Sequence, residues 1–168
     1  MSTLVGYASK HGATKGIAEA IAAELGRNDV PAHAIDVDGL GGLDGYDAVV
    51  LGSAIYAGHW LKPAQQFALA HADHLRQLPV WMFSSGPCGP PEDLVPDGDP
   101  VDIAELEEKL APVDHRVFAG RIDKDKLGFG ERAIVRALHV PVGDFRDWEA
   151  IAEFAREIAA HLRATTSV

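Results

Sequence analysis

The sequence predicts an α/β fold in which helices cover both faces of a five-stranded parallel sheet. Apolar runs alternate with helical patterns along the chain, and these runs lack the strict alternation of a half-exposed strand. The runs lie at residues 4–8, 32–37, 48–54, 80–83 and 116–120. Because alternating strands and helices form right-handed crossovers, we expect a doubly wound sheet in three layers.

Helical patterns fill the intervals between the runs. Residues 13–26 and 63–78 place apolar side chains on one stripe, and Pro63 suits a first helical turn. A further helix is predicted to start at Asp102, which forms a capping-box pattern with Glu105. The last helix is predicted from the apolar stripe that runs from Trp148 to Leu162.

Composition limits the classes of function. The chain has 168 residues, 47% of them hydrophobic, which predicts a single domain over residues 1–168. A formal net charge of −10 disfavours nucleic acid as a partner and favours basic proteins. With Cys88 as its single cysteine, the chain is predicted to form no internal disulfide and no metal site. The sequence has neither a signal-peptide pattern nor an apolar stretch of membrane-spanning length, so we expect a cytoplasmic protein.

The segment between the first run and the first helix has the composition of a phosphate-binding loop. Ser9, His11 and Thr14 offer side-chain donors, and Gly12 allows close approach of the backbone to an anion. The first turn of the following helix adds N–H groups that lack intrahelical acceptors. The competing interpretation is an ordinary helix start with a Ser or Thr N-cap.

Other common ligands of this architecture require residues that the chain lacks. It contains no G-x-G-x-x-G dinucleotide loop after the first run and no G-x-x-x-x-G-K-[ST] motif. A phosphate-accepting receiver domain needs acidic residues where this chain has Ser9 and Ser53. A small cysteine phosphatase needs arginine six residues after Cys88, and that residue is Leu94.

The segment Tyr7-Ala8-Ser9-Lys10-His11-Gly12-Ala13-Thr14 resembles the FMN-phosphate loop of the flavodoxins, T/S-x-T-G-x-T, with His11 in place of a threonine. Residues 50–60, 82–87 and 143–148 resemble the flavodoxin-domain branch that contains menaquinone-dependent protoporphyrinogen oxidase. The resemblance implies a flavodoxin-like fold with strand order 2-1-3-4-5 and FMN as cofactor. A related deazaflavin stays an alternative, because a phosphate loop does not distinguish ring systems.

The resemblance also implies three groups of cofactor-binding residues. The phosphate is expected on Ser9, Lys10, His11, Gly12, Ala13 and Thr14. The ring is expected against Ser53, Ala54, Ile55, Tyr56, Ala57, Gly58 and Trp60, and its pyrimidine edge against Ser84, Ser85, Gly86, Cys88 and Gly89. Tyr56 or Trp60 is expected to stack on the flavin, and a peptide carbonyl beside Gly58 is expected to accept the N5 proton. No catalytic side chain is predicted, because the flavin supplies the chemistry.

Two functions follow from this resemblance. The first is an FMN-dependent oxidoreductase that oxidises a reduced organic substrate, such as a porphyrinogen, and reduces a quinone. The alternative is a non-catalytic electron carrier between redox proteins, which the net charge favours. Residues 86–100 are predicted to form a flexible lid or a rim. The basic, amphipathic segment 121–139 is predicted to meet a carboxylated substrate or, peripherally, a lipid surface, unless it packs on the core as an ordinary surface helix. Arg146 is expected to have a specific acidic partner, either on the protein or on the substrate.

Overall fold

The computed structural model describes residues 1–56, 59–86, 101–122, 125, 128–137 and 143–167. Within these ranges the backbone alone is described for Tyr56, Val101, Asp102, Ile122, Glu131, Ile134, Val135 and Ala137. The strands in chain order are β1 (Thr3–Ala8), β2 (Ala32–Asp36), β3 (Ala48–Tyr56), β4 (His59–Trp60), β5 (Val80–Ser85), β6 (Asp114–Phe118), β7 (Arg121–Ile122) and β8 (Gly143–Asp144). The α-helices are α1 (Ala13–Arg27), α2 (Lys62–Ala70), α3 (Ala72–Leu75), α4 (Val101–Leu110), α5 (Phe129–Ala137) and α6 (Trp148–Thr166).

The parallel strands lie in the order β2-β1-β3-β5-β6. Counted without the short β4, which pairs antiparallel with β3, this is the predicted order 2-1-3-4-5. The chain leaves β1 on one side to form β2 and later returns on the other side to form β3. That reversal of direction creates a crevice at the carboxyl ends of the strands, which is where ligands of doubly wound sheets bind.

Two apolar cores, one on each face of the sheet, explain why the strands lack simple alternation. Val5 and Phe83 face α1 and α6, where they pack with Ile17 and Phe154. Their strand neighbours face the opposite way, toward α2, α3 and α4. Both faces of each central strand are therefore buried, as the continuous apolar runs predict.

Several predicted boundaries were wrong, three of them as follows. The strand expected at residues 116–120 is Asp114–Phe118, because Asp114, His115 and Arg116 have polar partners that an apolar pattern does not reveal. The helix expected at 63–78 is divided at His71, whose backbone is not helical and whose ring packs on Phe67 at 4.6 Å. The fourth helix begins at Val101, one residue before Asp102.

Candidate functional site

The three predicted loops leave the sheet at the same edge. In the sheet register Ala8 lies beside Ser53, and Ala54 lies beside Ser85. These residues are at or near the carboxyl ends of β1, β3 and β5. The segments that follow them therefore begin side by side, as a ligand bound by all three requires.

The phosphate loop joins β1 to α1 through a glycine with a left-handed backbone. Gly12 is the N-cap of α1 at φ 88°, and no side chain caps the helix. Ser9 Oγ accepts the N–H of Gly12 at 3.0 Å and so closes the loop upstream of the helix. The interpretation of this segment as a helix with a Ser or Thr N-cap is therefore wrong. The first turn of α1 keeps its N–H groups available for an anion.

Thr14 in the first turn of α1 carries an unusual hydroxyl. The residue is 1% exposed, and within the described part of the chain Oγ1 has no hydrogen-bond partner. A buried hydroxyl without a partner is costly in a folded protein. A phosphate oxygen bound at the helix start would supply that partner, so the residues present fit a phosphate monoester.

Arg121, at the start of β7, adds a positive charge at this loop. Its Nη2 is 3.5 Å from the carbonyl oxygen of His11, and it lies 3.8 Å from the position that a Cβ would occupy on Gly12. Because 110 residues separate Arg121 from His11 in sequence, no local pattern could have placed them together. The sequence did indicate a basic segment beginning at Arg121, but not that its first residue lies at the phosphate loop.

Arg146 has the acidic partner that the sequence predicted, and the partner is Asp144. The guanidinium binds both carboxylate oxygens of Asp144 and stacks on the ring of Trp148 at 4.5 Å. Hydrogen bonding from Arg146 lowers the pKa of Asp144 to about 2, and the charge of Arg121 contributes in the same direction. Asp147 is the N-cap of α6, where its side chain accepts the N–H of Ala150 at 3.0 Å.

In the second loop, β4 folds back on β3 and places Trp60 in the core. Trp60 is 2% exposed, and its indole N–H donates to Ser84 Oγ at 2.8 Å. The hydroxyl of Ser53 accepts the N–H of Leu61 at 3.0 Å and donates to the carbonyl of Ala54. Ser53 and Trp60 thus hold the two ends of the loop, and in this conformation the indole presents little surface to a ring. Ala54 and Ile55 are partly buried at the end of β3.

The third loop begins with two buried serines and a glycine. Ser84 is fully buried, Ser85 nearly so, and Gly86 has φ 96°. The N–H of Gly86 donates to the carbonyl of Phe118 at 2.8 Å, which ties this loop to the end of β6. A Cβ on Gly120 would lie 3.3 Å from both the nitrogen of Gly86 and Ser85 Oγ, so glycine at 120 permits this close packing.

Several predicted site residues lie outside the described residues, namely Ala57, Gly58, Cys88 and Gly89, together with the side chain of Tyr56. Residues 87–100 of the predicted rim also lie outside the described residues, as do residues 123, 124, 126, 127, 138 and 139 of the basic segment. His59 is exposed. Among the described residues, His, Cys, Asp and Glu form no cluster of three or more that could hold a metal ion. In the same part of the chain, no helix combines the length and apolar character needed to cross a membrane.

Together these features define a doubly wound α/β protein whose first loop, at the switch point of the sheet, fits a phosphate group. The family model for the flavodoxin domain matches residues 4–147. The chain therefore belongs to the flavodoxin domain family, and its cofactor is FMN. Ser9, Gly12 and Thr14 would hold the FMN phosphate at the start of α1, and the flavin would supply the redox chemistry.

Comparison with individual proteins gives curated relatives and structural neighbours. The chain is 27% identical to protoporphyrinogen IX dehydrogenase [quinone] of Escherichia coli K12, with 95% of each chain covered. It resembles the flavodoxin of Streptococcus pneumoniae TIGR4 with a TM-score of 0.61 at 16% identity, covering 96% of this chain and 99% of that one. It also resembles rubredoxin oxygen:oxidoreductase of Desulfovibrio gigas, with a TM-score of 0.66 at 13% identity, covering 99% of this chain and 37% of that one.

Proposed function

We propose that this flavodoxin-domain protein is an FMN-dependent oxidoreductase that oxidises a porphyrinogen and reduces a quinone. In each cycle two electrons and two protons leave the donor and reach the quinone, which becomes the quinol. The curated relative supports this reaction class, because the similarity extends over 95% of both chains rather than over the phosphate loop alone.

The observation that carries the FMN-binding part of the proposal is the pairing of an uncapped helix start with the buried hydroxyl of Thr14. Both features lie at the carboxyl edge of the sheet, where FMN is expected to insert its phosphate. We propose that Ser9 to Thr14 hold the phosphate and that Arg121 adds a compensating charge. Tyr56 and the peptide beside Gly58 are proposed to contact the ring, and the segment from Ser84 to Gly89 its pyrimidine edge.

A binding measurement followed by a turnover assay tests the proposal. The apoprotein should quench FMN fluorescence and melt at a higher temperature with FMN bound. The loaded protein, mixed anaerobically with protoporphyrinogen IX and menadione as the quinone, should then form porphyrin. If FMN binds and no porphyrin forms above the rate with free FMN, the substrate assignment is wrong. If FMN does not bind, the FMN-binding part fails as well.

A non-catalytic electron carrier is the second candidate, favoured by the formal net charge of −10. Acidic surfaces attract basic redox partners over long distances and lose that attraction as salt rises. Photoreduction of the loaded protein separates the two functions. A carrier should take up its two electrons in well-separated one-electron steps, whereas an oxidoreductase for two-electron donors should take them up together.

A further inference from the structure

Four side chains from four elements form one hydrogen-bonded chain beneath the second and third loops. The indole nitrogen of Trp60 on β4 is 2.8 Å from Ser84 Oγ on β5. Ser84 Oγ is 2.9 Å from Nε2 of His115 on β6, and Nδ1 of that ring is 3.0 Å from Oε1 of Glu107 on α4. We refer to Trp60, Ser84, His115 and Glu107 as the Trp60 network.

Hydrogen-bond chemistry gives the Trp60 network a direction. An indole nitrogen can only donate, so Ser84 Oγ accepts from Trp60. With a neutral imidazole, the remaining bonds are satisfied when Ser84 donates its proton to Nε2 of His115 and Nδ1–H donates to Glu107. Each link then has one donor and one acceptor. The network thus fixes the rotation of the Ser84 hydroxyl and the tautomer of His115.

The order serine, histidine, carboxylate also occurs in hydrolases, but the surroundings of Ser84 argue against that role here. A nucleophilic serine must reach a substrate carbonyl. Ser84 is fully buried, and its oxygen is covered by the indole that donates to it. The chain also ends at an N–H that cannot accept a proton, so it is not a proton path. Positioning is the role that remains.

We propose that His115, acting through Ser84, is a positioning residue that holds Trp60 and with it the flavin-facing loop at residues 53–61. The backbone around Trp60 supports this. Trp60 pairs with Ile55 across β3 and β4, and its carbonyl accepts the side-chain N–H of Gln65 at 2.7 Å. The loop is thus fastened at its far end by the indole and at its near end by Ser53. This inference rests on the proposed role of the loop in binding the ring.

Loss of the Trp60 network should lower the fraction of molecules whose loop is ready to bind a flavin. The apparent dissociation constant rises in proportion to that loss. Because the network acts on the ring loop and not on the phosphate loop, FMN and riboflavin should be affected by the same factor. For a buried hydrogen bond we expect about five- to tenfold weaker binding of both flavins.

The first experiment uses the apoprotein and needs no flavin. The indole ¹H–¹⁵N signal of Trp60, assigned by its loss in Trp60→Phe, should move in Ser84→Ala and His115→Leu. It should stay near its wild-type position in His115→Gln, whose side chain can still accept at the position of Nε2. The signals of Trp81 and Trp148, which lie outside the network, serve as internal references. If the Trp60 signal keeps its wild-type position in both Ser84→Ala and His115→Leu, the proposal is overturned.

The second experiment measures affinities for FMN and riboflavin and the midpoint potential of bound FMN. Ser84→Ala and His115→Leu should weaken the binding of both flavins by the same factor and shift the midpoint potential of bound FMN. In His115→Gln the affinities and the potential should return to near their wild-type values. His71→Leu is the matched control, since it removes a partly buried histidine that stacks on Phe67 outside the network. A lower melting temperature with unchanged affinities and potential would make the network purely structural. Failure of the wild-type protein to bind either flavin would instead refute the proposed function, while the indole signal would still test how Trp60 is held.

Discussion

Arg146 binds both carboxylate oxygens of Asp144, with Nε 2.9 Å from Oδ1 and Nη2 2.6 Å from Oδ2. The arginine side chain is 9% exposed and that of the aspartate 42%, so the pair joins a buried cation to a half-exposed anion. Arg146 lies close enough to Gly16 that a Cβ there would be 2.6 Å from Nη1. Asp144 therefore neutralises a guanidinium that is packed against the first turns of α1.

The pair should give the protein a specific acid sensitivity. The pKa of Asp144 is about 2, below its usual 3.8, mainly because Arg146 donates hydrogen bonds to the charged form. A lowered pKa stabilises the folded state above 3.8, and that contribution disappears as the pH falls toward 2. In Asp144→Asn we expect a lower melting temperature than in wild type at neutral pH. That difference in melting temperature should disappear as the pH falls from 3.8 to about 2.

Melting followed by circular dichroism from pH 7 to pH 2 measures that difference. Asp44→Asn is the control because it removes an exposed carboxylate from a loop. The melting temperature of Asp44→Asn should stay close to that of wild type over the whole pH range. If the difference between Asp144→Asn and wild type stays constant down to pH 2, the carboxylate charge is not what stabilises this region.

Thr14→Val tests whether the buried hydroxyl serves the cofactor. Valine keeps the shape of threonine and removes a polar atom that has no partner in the described part of the chain. The apoprotein should be as stable as wild type or more stable, because an unsatisfied polar group is lost. Affinity for FMN should fall about tenfold, the usual effect of losing a hydrogen bond to a charged group, and affinity for riboflavin should not change. Fluorescence titration of both flavins measures this difference.

Thr3→Val is the matched control for that experiment. Thr3 is also buried, and its hydroxyl likewise lacks a partner among the described residues, but it lies at the opposite end of β1. Its replacement should raise or preserve apoprotein stability and leave FMN affinity unchanged. Equal FMN affinities in the two variants would remove Thr14 from the phosphate site.

The alternation of buried strands with helices and the loop between β1 and α1 were predictable because their signals are local. Apolar runs such as residues 48–54 report burial on both faces, and the glycine in Ser9–Thr14 marks a break between strand and helix. The capping of α6 by Asp147 is equally local, since a cap acts on residues two or three positions away. In each case the physical cause lies within a few residues of the pattern.

The parts that escaped prediction depend on tertiary register. Ser84 contacts His115 because β5 and β6 pair with Met82 beside His115. Trp60 points into the core because β4 reverses onto β3, and the aromatic character of Trp60 does not reveal that placement. The same limit hid the approach of Arg121 to His11. The spacing of residues along the sequence indicates none of these contacts.

Gly52→Ala should destabilise the sheet. A Cβ on Gly52 would overlap the Phe83 ring, which packs over this glycine from the neighbouring strand. Overpacking of this kind costs about 1–3 kcal/mol, measurable by urea unfolding. Gly26→Ala is the control and should instead stabilise the protein, because a Cβ at that site in α1 meets open space. Alanine at position 26 should raise the free energy of unfolding by about 0.5–1 kcal/mol. A neutral Gly52→Ala would mean that Phe83 can move aside without loss.

Arg121→Met tests the charge at the phosphate loop. Nη2 of Arg121 lies 3.5 Å from the carbonyl oxygen of His11, so a bound phosphate would gain a nearby cation. FMN should bind about tenfold more weakly, with reduced sensitivity to salt, because a charge-assisted contact is lost. Riboflavin lacks the phosphate and should bind as before. The control is Lys15→Met, which removes a cation on α1 that pairs with Glu19 at 3.9 Å. Its effect on FMN affinity should be smaller. Equal weakening of FMN and riboflavin in Arg121→Met would show that the guanidinium supports the loop itself rather than the phosphate.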